Sequence, residues 1–142
     1  MAGEPQILEG PFALCQAAQS ISNGGFNTNA PSAISAVLSA PHQRAPMLGF
    51  RIDITGGTPT ENGVFEVHRI RSDGTNEAPS PSAYTGATSV GYVIVDNAQG
   101  SYFIDDVDNT SVHDKFVLKN VSGGASITAA LYVAGFGLEP GA

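Results

Sequence analysis

Tryptophan is absent, cysteine occurs once, at Cys15, and lysine plus arginine number only six in 142 residues. Each shortage excludes something. A single cysteine cannot build an internal disulfide framework, so stability must come from packing or assembly. A lone thiol among Ala and Leu reads as a small buried hydrophobe. Six basic residues against thirteen acidic ones give a net charge of −7, with no basic cluster to release counterions from a phosphate backbone, so no nucleic-acid partner is expected. The acidity reads as a device for solubility, with attraction to a basic partner as the alternative. No apolar run approaches the roughly 18 residues of a membrane span, and MAGEPQILEG carries acids where a secretory signal carries Lys or Arg. The expectation is a protein made in the cytosol, with no membrane partner.

What is present points to strands. Charged residues are 13% of the chain, Lys and Glu are sparse, and 17 Gly and 9 Pro are spread along it, a composition of short strands joined by turns. A chain of 142 residues fits one domain that buries about 70% of its unfolded surface. His113 to Gly137 organises the rest. Phe116 and Leu118 alternate with Val117, Lys119 and Val121, and Ile127, Ala129, Leu131 and Val133 alternate with Thr128, Ala130, Tyr132 and Ala134, the two-residue period of strands. Ser122-Gly123-Gly124-Ala125 between them reads as the reversal of a hairpin.

Upstream, Phe50, Ile52 and Ile54 alternate with Arg51, Asp53 and Thr55 in a half-buried strand ended by Gly56-Gly57. Val64 to Ile70 is the next, with His68 pointing outward beside Glu66, and Ser72-Asp73-Gly74-Thr75 is a turn. Residues 76–83 carry two prolines and form a loop. Ser89 to Val95, apolar on both faces, reads as a strand covered on both sides, turned by Asp96 to Gly100 into its partner, Ser101 to Val107. Six strands between residues 50 and 137 indicate an all-β antiparallel sandwich, jelly-roll-like in spacing. Residues 31–40 satisfy both a helical and a strand period, and the strand is the expectation.

The start differs. Only Glu4, Glu9 and Arg44 are charged in residues 1–49, too few for a solvated tail. The expected organisation is an extended, low-charge N-terminal arm over 1–32 and a sandwich domain over 33–142. Ile7, Leu8, Phe12, Leu14, Ile21 and Phe26 are the side chains the arm offers, either to its own domain as first strands or to a neighbouring subunit.

No constellation carries a catalytic expectation. Asp105, Asp106 and Asp108 form the densest carboxylate cluster, but they lack the glycine and distal glutamate of a helix-loop-helix calcium loop. A solvated turn is expected there, with a bound cation as the alternative. A glycosidase pair would come from separate elements with aromatic sugar platforms. His42, His68 and His113 lie in no metal-ligating spacing, no Gly-x-Ser-x-Gly elbow exists, and Gly56-Gly57 and Gly123-Gly124 precede no helix that could receive a phosphate. No enzyme activity, cofactor or metal is expected.

The pieces FRIDI, FEVHRIRSDGT and KFVLKNVSGG, preceded by the Ala/Ser/Asn-rich start and followed by the closing apolar strand, resemble small virion proteins of tailed bacteriophages that decorate or cement the capsid. The resemblance spans residues 33–137. It implies a sandwich or jelly-roll body displayed many times on the virion surface, often as a homotrimer. It also implies an arm lying across the major capsid protein. The function expected from it is non-enzymatic reinforcement of the shell by bridging capsid subunits, with loops 57–62, 76–88 and 108–112 as the variable surface. The alternative is a tail, head-fibre or host-surface module that binds glycans through Tyr84, Tyr92 or Tyr102.

Overall fold

The computed structural model describes residues 7–70 and 88–138. The expected turn at 72–75, most of the Pro/Ser loop and Tyr84 lie outside them. The order is β1 (Ile7–Glu9), β2 (Ala13–Ile21), α1 (Ile34–Val37), α2 (Ala40–Gln43), β3 (Met47–Gly56), β4 (Gly63–Ile70), β5 (Thr88–Val95), β6 (Gly100–Asp108), β7 (Lys115–Asn120) and β8 (Ile127–Leu138). Two antiparallel sheets face each other. The larger runs β8-β3-β6, with β1 and β2 both paired along the outer side of β8, and the smaller runs β5-β4-β7. The protein is an all-β sandwich.

Alternation explains the core. Leu48, Phe50, Ile52 and Ile54 of β3 are buried while Arg51 and Asp53 between them are not, and Phe65 and Val67 of β4 face them from the other sheet. The Phe50 and Phe116 rings meet across the layers at 4.7 Å.

All six strands expected between 50 and 137 are present, but two of the expected pairings are not. β7 and β8 do not form a hairpin: β7 pairs with β4 in the smaller sheet, and β8 pairs with β3 in the larger. Residues 121–126 carry the chain across the core between layers. Gly123 needs its missing side chain there, because a Cβ would lie 2.2 Å from the Phe65 ring, and Gly124 and Ser126 take left-handed φ of 115° and 56°. Likewise β5 and β6 lie in opposite sheets, and Asp96–Gln99 crosses between them. Glycine-rich turns serve crossings as well as hairpins, and the strong hairpin signal is the two-residue Asn-Gly or Asp-Gly turn, which neither stretch carries.

Residues 31–40 also differ from expectation. Ile34–Val37 and Ala40–Gln43 are short helical turns, with Pro41 near the start of the second, where its missing N–H costs nothing. Ile34 and Leu38 still reach the core, which is why both periods fitted.

The pairings are nested. β2 pairs with β8, residues 24–27 lie along β7, β3 pairs with β6, and β4 with β5. The chain thus runs as one long antiparallel ribbon, folded over so that successive segments of the ribbon alternate between the two layers.

Residues 13–32 pack on the body as first strands of the sandwich: Ser32 N–H donates to Cys15 O at 2.9 Å and Ile34 N–H to Asp114 O at 3.2 Å. A buried amide network fixes them. Gln16, fully buried, accepts from Leu118 N–H at 3.0 Å and donates to the carbonyls of Asn27 and Asn29 at 2.9 and 2.7 Å. Asn27 donates to Ala17 and Ala129 carbonyls, and Asn120 to those of Ile21 and Gly124. Replacing Gln16 by Leu strands the Leu118 N–H and two carbonyls in the core. We expect a loss of about 3 kcal/mol, since a buried polar group left unpaired costs about 1–3 kcal/mol, measurable by urea denaturation.

Candidate interaction surface

The outer face of the larger sheet carries a row of large side chains in register. Leu14 of β2 lies opposite Tyr132 of β8, Tyr132 opposite Arg51 of β3, and Arg51 opposite Phe103 of β6. Directly opposed residues share a face, so the row crosses all four strands. Arg51 organises it: its guanidinium lies 4.2 Å from the Tyr132 ring centroid and 5.5 Å from that of Phe12, and its Nε donates to Asp53 at 3.0 Å. A flat, weakly hydrated guanidinium stacks on rings where an ammonium would not. Phe12 packs edge-on against Phe103 at 5.7 Å and Phe136 at 5.9 Å. Phe136 has its place because a side chain on Gly49 would come within 2.6 Å of its ring.

The strip continues at the open side of the sandwich. Tyr92 and Ile94 of β5 are 63% and 59% exposed, Phe103 53% and Leu14 45%. Between the free edges of β5 and β6 runs an open groove of about 390 Å³, lined by Tyr92, Val93, Ile94, Tyr102 and Phe103. β5 is therefore covered on one face only, contrary to the expectation from SVGYVIV: Val93 and Val95 point into the core and Tyr92 and Ile94 to solvent. An apolar run shows that a strand has two greasy faces, not that both are covered.

The residues expected to form the arm interface are distributed as follows. Ile7 and Leu8 belong to β1, whose backbone pairs with Leu138 and Gly137. Ile21 is a core residue. Phe12 is half-buried on its own domain, and Phe26 packs edge-on against His68 at 5.2 Å with Lys119 Nζ 5.2 Å from its ring. Among the described side chains Phe12, Leu14, Ile21 and Phe26, Leu14 alone is exposed, at 45%. Sequence reasoning missed Arg51, Phe103 and Ile94, although the alternation in FRIDI already set Arg51 on the outward face.

The polar groups are placed by packing. Asp105, Asp106 and Asp108 lie in β6 rather than in a turn, at a bulge where Asp106 takes φ 60°, and among the described residues no group of three or more acidic, His or Cys side chains is arranged to hold a metal ion. His68 shares the face of Glu66, with its Nε2 3.4 Å from that carboxylate, but is buried there against Phe26. Arg69 Nε lies 3.3 Å from the buried Asp114 carboxylate, which also accepts from Thr110 Oγ1 at 2.7 Å, and Arg69 Nη2 donates to the Asp108 carbonyl. At the β5–β6 crossing Tyr102 donates its hydroxyl to Asp96 at 2.6 Å. That bond, with the Ala98 N–H, holds the Asp96 carboxyl below its ordinary pKa. Desolvation, then the same bond, raises that of Tyr102.

Among the described residues no helix is long and apolar enough to cross a membrane. Compared with known proteins, the chain matches no family model and no curated sequence.

Burial pushes the Cys15 thiol from 9.0 up to about 12. The folded protein therefore holds its proton more tightly than the unfolded chain. The resulting stability is constant below pH 9 and falls as pH rises from 9 toward 12. We expect Cys15 to resist a thiol reagent at pH 8 in the native protein and to react fully in denaturant, as followed by absorbance.

Proposed function

We propose that the protein is a non-enzymatic virion structural protein of a tailed bacteriophage, a capsid decoration protein that stabilises the shell by bridging capsid subunits. The observation that carries this reading is the strip formed by Leu14, Tyr132, Phe12, Phe103, Tyr92 and Ile94. Contiguous exposed apolar surface marks a site of macromolecular contact, and a strip that spans the outer sheet face and the open edge of the sandwich suits a protein surface. Each large apolar side chain contributes about 1.5–3 kcal/mol when fully covered, and repetition over symmetric copies multiplies modest contacts into avidity.

The strand order adds support. Four strands in the order β2-β8-β3-β6, facing residues 24–27, β7, β4 and β5, with nested pairs, fit the wiring of a jelly roll, an architecture found in viral capsid and lectin domains. On this reading attachment is made chiefly by the sheet face, with at most the residues before β2 as an arm, and three copies surround a local threefold position of the major capsid protein.

A second reading, a glycan-binding tail or fibre module, is favoured by Tyr92, whose exposed ring is a platform on which a sugar can stack. Its neighbours in the groove, Ile94 and Phe103, supply no side-chain hydrogen bonds, so a protein surface fits better.

The test is co-sedimentation with shells assembled from the major capsid protein of the same genome. We expect saturable binding, a raised temperature of shell disruption, and at least about a tenfold loss of affinity, some 1.4 kcal/mol, in Phe103→Asp with unchanged folding. Absence of shell binding together with retention on a glycan array would replace the decoration reading by the second.

A further inference from the structure

The three outer strands of the sandwich's open and closed sides are finished differently. The free side of β7 is occupied: Asn27 N–H donates to Leu118 O, Asn120 N–H to Gly25 O, and Gly24 N–H to Asn120 O. β6 is an edge of the larger sheet, and it is blunted by the bulge at Asp106 and by the exposed carboxylates of Asp105, Asp106 and Asp108. Such charges and bulges are how sheet edges avoid pairing with other chains. β5 carries no such charge: from Thr88 to Val95 it contains no charged residue and no proline, its one irregularity of register falls at Val90, upstream of Tyr92 and Ile94, and among the described residues it pairs with β4 alone.

The register shows which backbone groups are free. Val64 turns its own N–H to Ser122 Oγ at 3.0 Å, and its carbonyl accepts from Val121 N–H at 3.0 Å, both on the side away from β5. Val64 is opposite Ile94, so this is the pair that exchanges no hydrogen bonds in an antiparallel ladder. Ile94, and Tyr92 two residues earlier, therefore direct N–H and C=O toward the open groove. The same two residues have the exposed side chains.

We propose that the free edge of β5 accepts an extended segment of another polypeptide as an added strand, and that this segment is apolar at alternate positions and basic at both ends. Strand addition uses the main-chain groups of Tyr92 and Ile94 for affinity and the flanking side chains for selection. The basic ends follow from charge. Asp96, held ionised by Tyr102, follows β5 immediately, and the other end of the groove leads to Asp105 and Asp106. Gly91 approaches so close to Ile104 that a Cβ would lie 2.7 Å from its methyl group, which sets the start of β5 beside those acids. A second copy of this chain fits badly. Antiparallel β5–β5 pairing would bring the Asp96 end of one copy to the Asp105–Asp106 end of the other, between bodies that each carry −7. The proposal stands on the edge itself and does not require the virion reading.

The test uses the full-length protein and a short peptide of alternating Val and Thr with two Lys at each end, titrated by calorimetry. Binding is expected, with slowed amide exchange at Tyr92 and Ile94. A Glu-ended peptide should bind at least about tenfold more weakly. Methylating the backbone nitrogens along one edge of the peptide should abolish binding, while methylating the other edge leaves it intact. Ile94→Pro removes one outward N–H without touching the β4 ladder and should lose binding while keeping its circular dichroism. Should that variant misfold, the methylated peptides still decide. No binding of the Lys-ended peptide, or binding indifferent to methylation, overturns strand addition. Equal binding of the Glu-ended peptide overturns the basic partner. A doubled solution mass without peptide, reverted by Ile94→Lys, would replace the partner by a second copy.

Discussion

Gln16 sits between the two sheets with no exposed surface, and its amide joins β2 and the nearby residues 27–29 to β7, where Leu118 lies 102 positions after Gln16. A carboxamide has both donors and acceptors, so one side chain can satisfy an N–H of a strand and two carbonyls of a loop at once. Asn27 and Asn120 repeat the pattern beside it. Uncharged amides suit this position, because a buried charge would need a charged partner beside it. The network also explains the composition of the early chain. Gln16, Gln19, Asn27 and Asn29 are not a solvated linker but hydrogen-bond β2 to residues 27–29.

The network closes the sandwich on the β7 side, and among the described residues the other side stays open. Residues 24–27 cover β7, while β5 and β6 remain as edges across the groove. The two edges differ in charge, with exposed carboxylates on β6 and none on β5. Charges are one general protection of β edges, so an uncharged edge beside a charged one is a local feature of this molecule. The contrast underlies the proposed strand acceptor.

The outer sheet face follows a second constraint, set by Arg51. Its stacking on Tyr132 and Phe12 and its bond to Asp53 order aromatic groups on a solvent-facing surface. Phe12 lies just before β2, so the chain's early residues contribute to this face through their own domain. The proposed attachment surface is therefore part of the rigid body. That lowers the conformational entropy lost on binding compared with an arm that must order first.

The sequence by itself determined the all-β class, the six strands from Phe50 onward and most of their inward residues, because each is encoded by a local two-residue period. It also placed Arg51 outward and marked Gly123 and Gly124 as a turn. Pairing partners were decided only in the tertiary structure. Alternation tells which face of a strand is buried, not which strand lies beside it, and the same glycines serve a hairpin or a crossing between layers. Hence β7 and β8, and likewise β5 and β6, separated into different sheets. The outer strands were hidden for the same reason. Whether Tyr92 and Ile94 are covered, and whether Leu14 and Ile21 face a neighbour or their own core, depends on what the fold brings opposite them, which no short stretch of sequence contains.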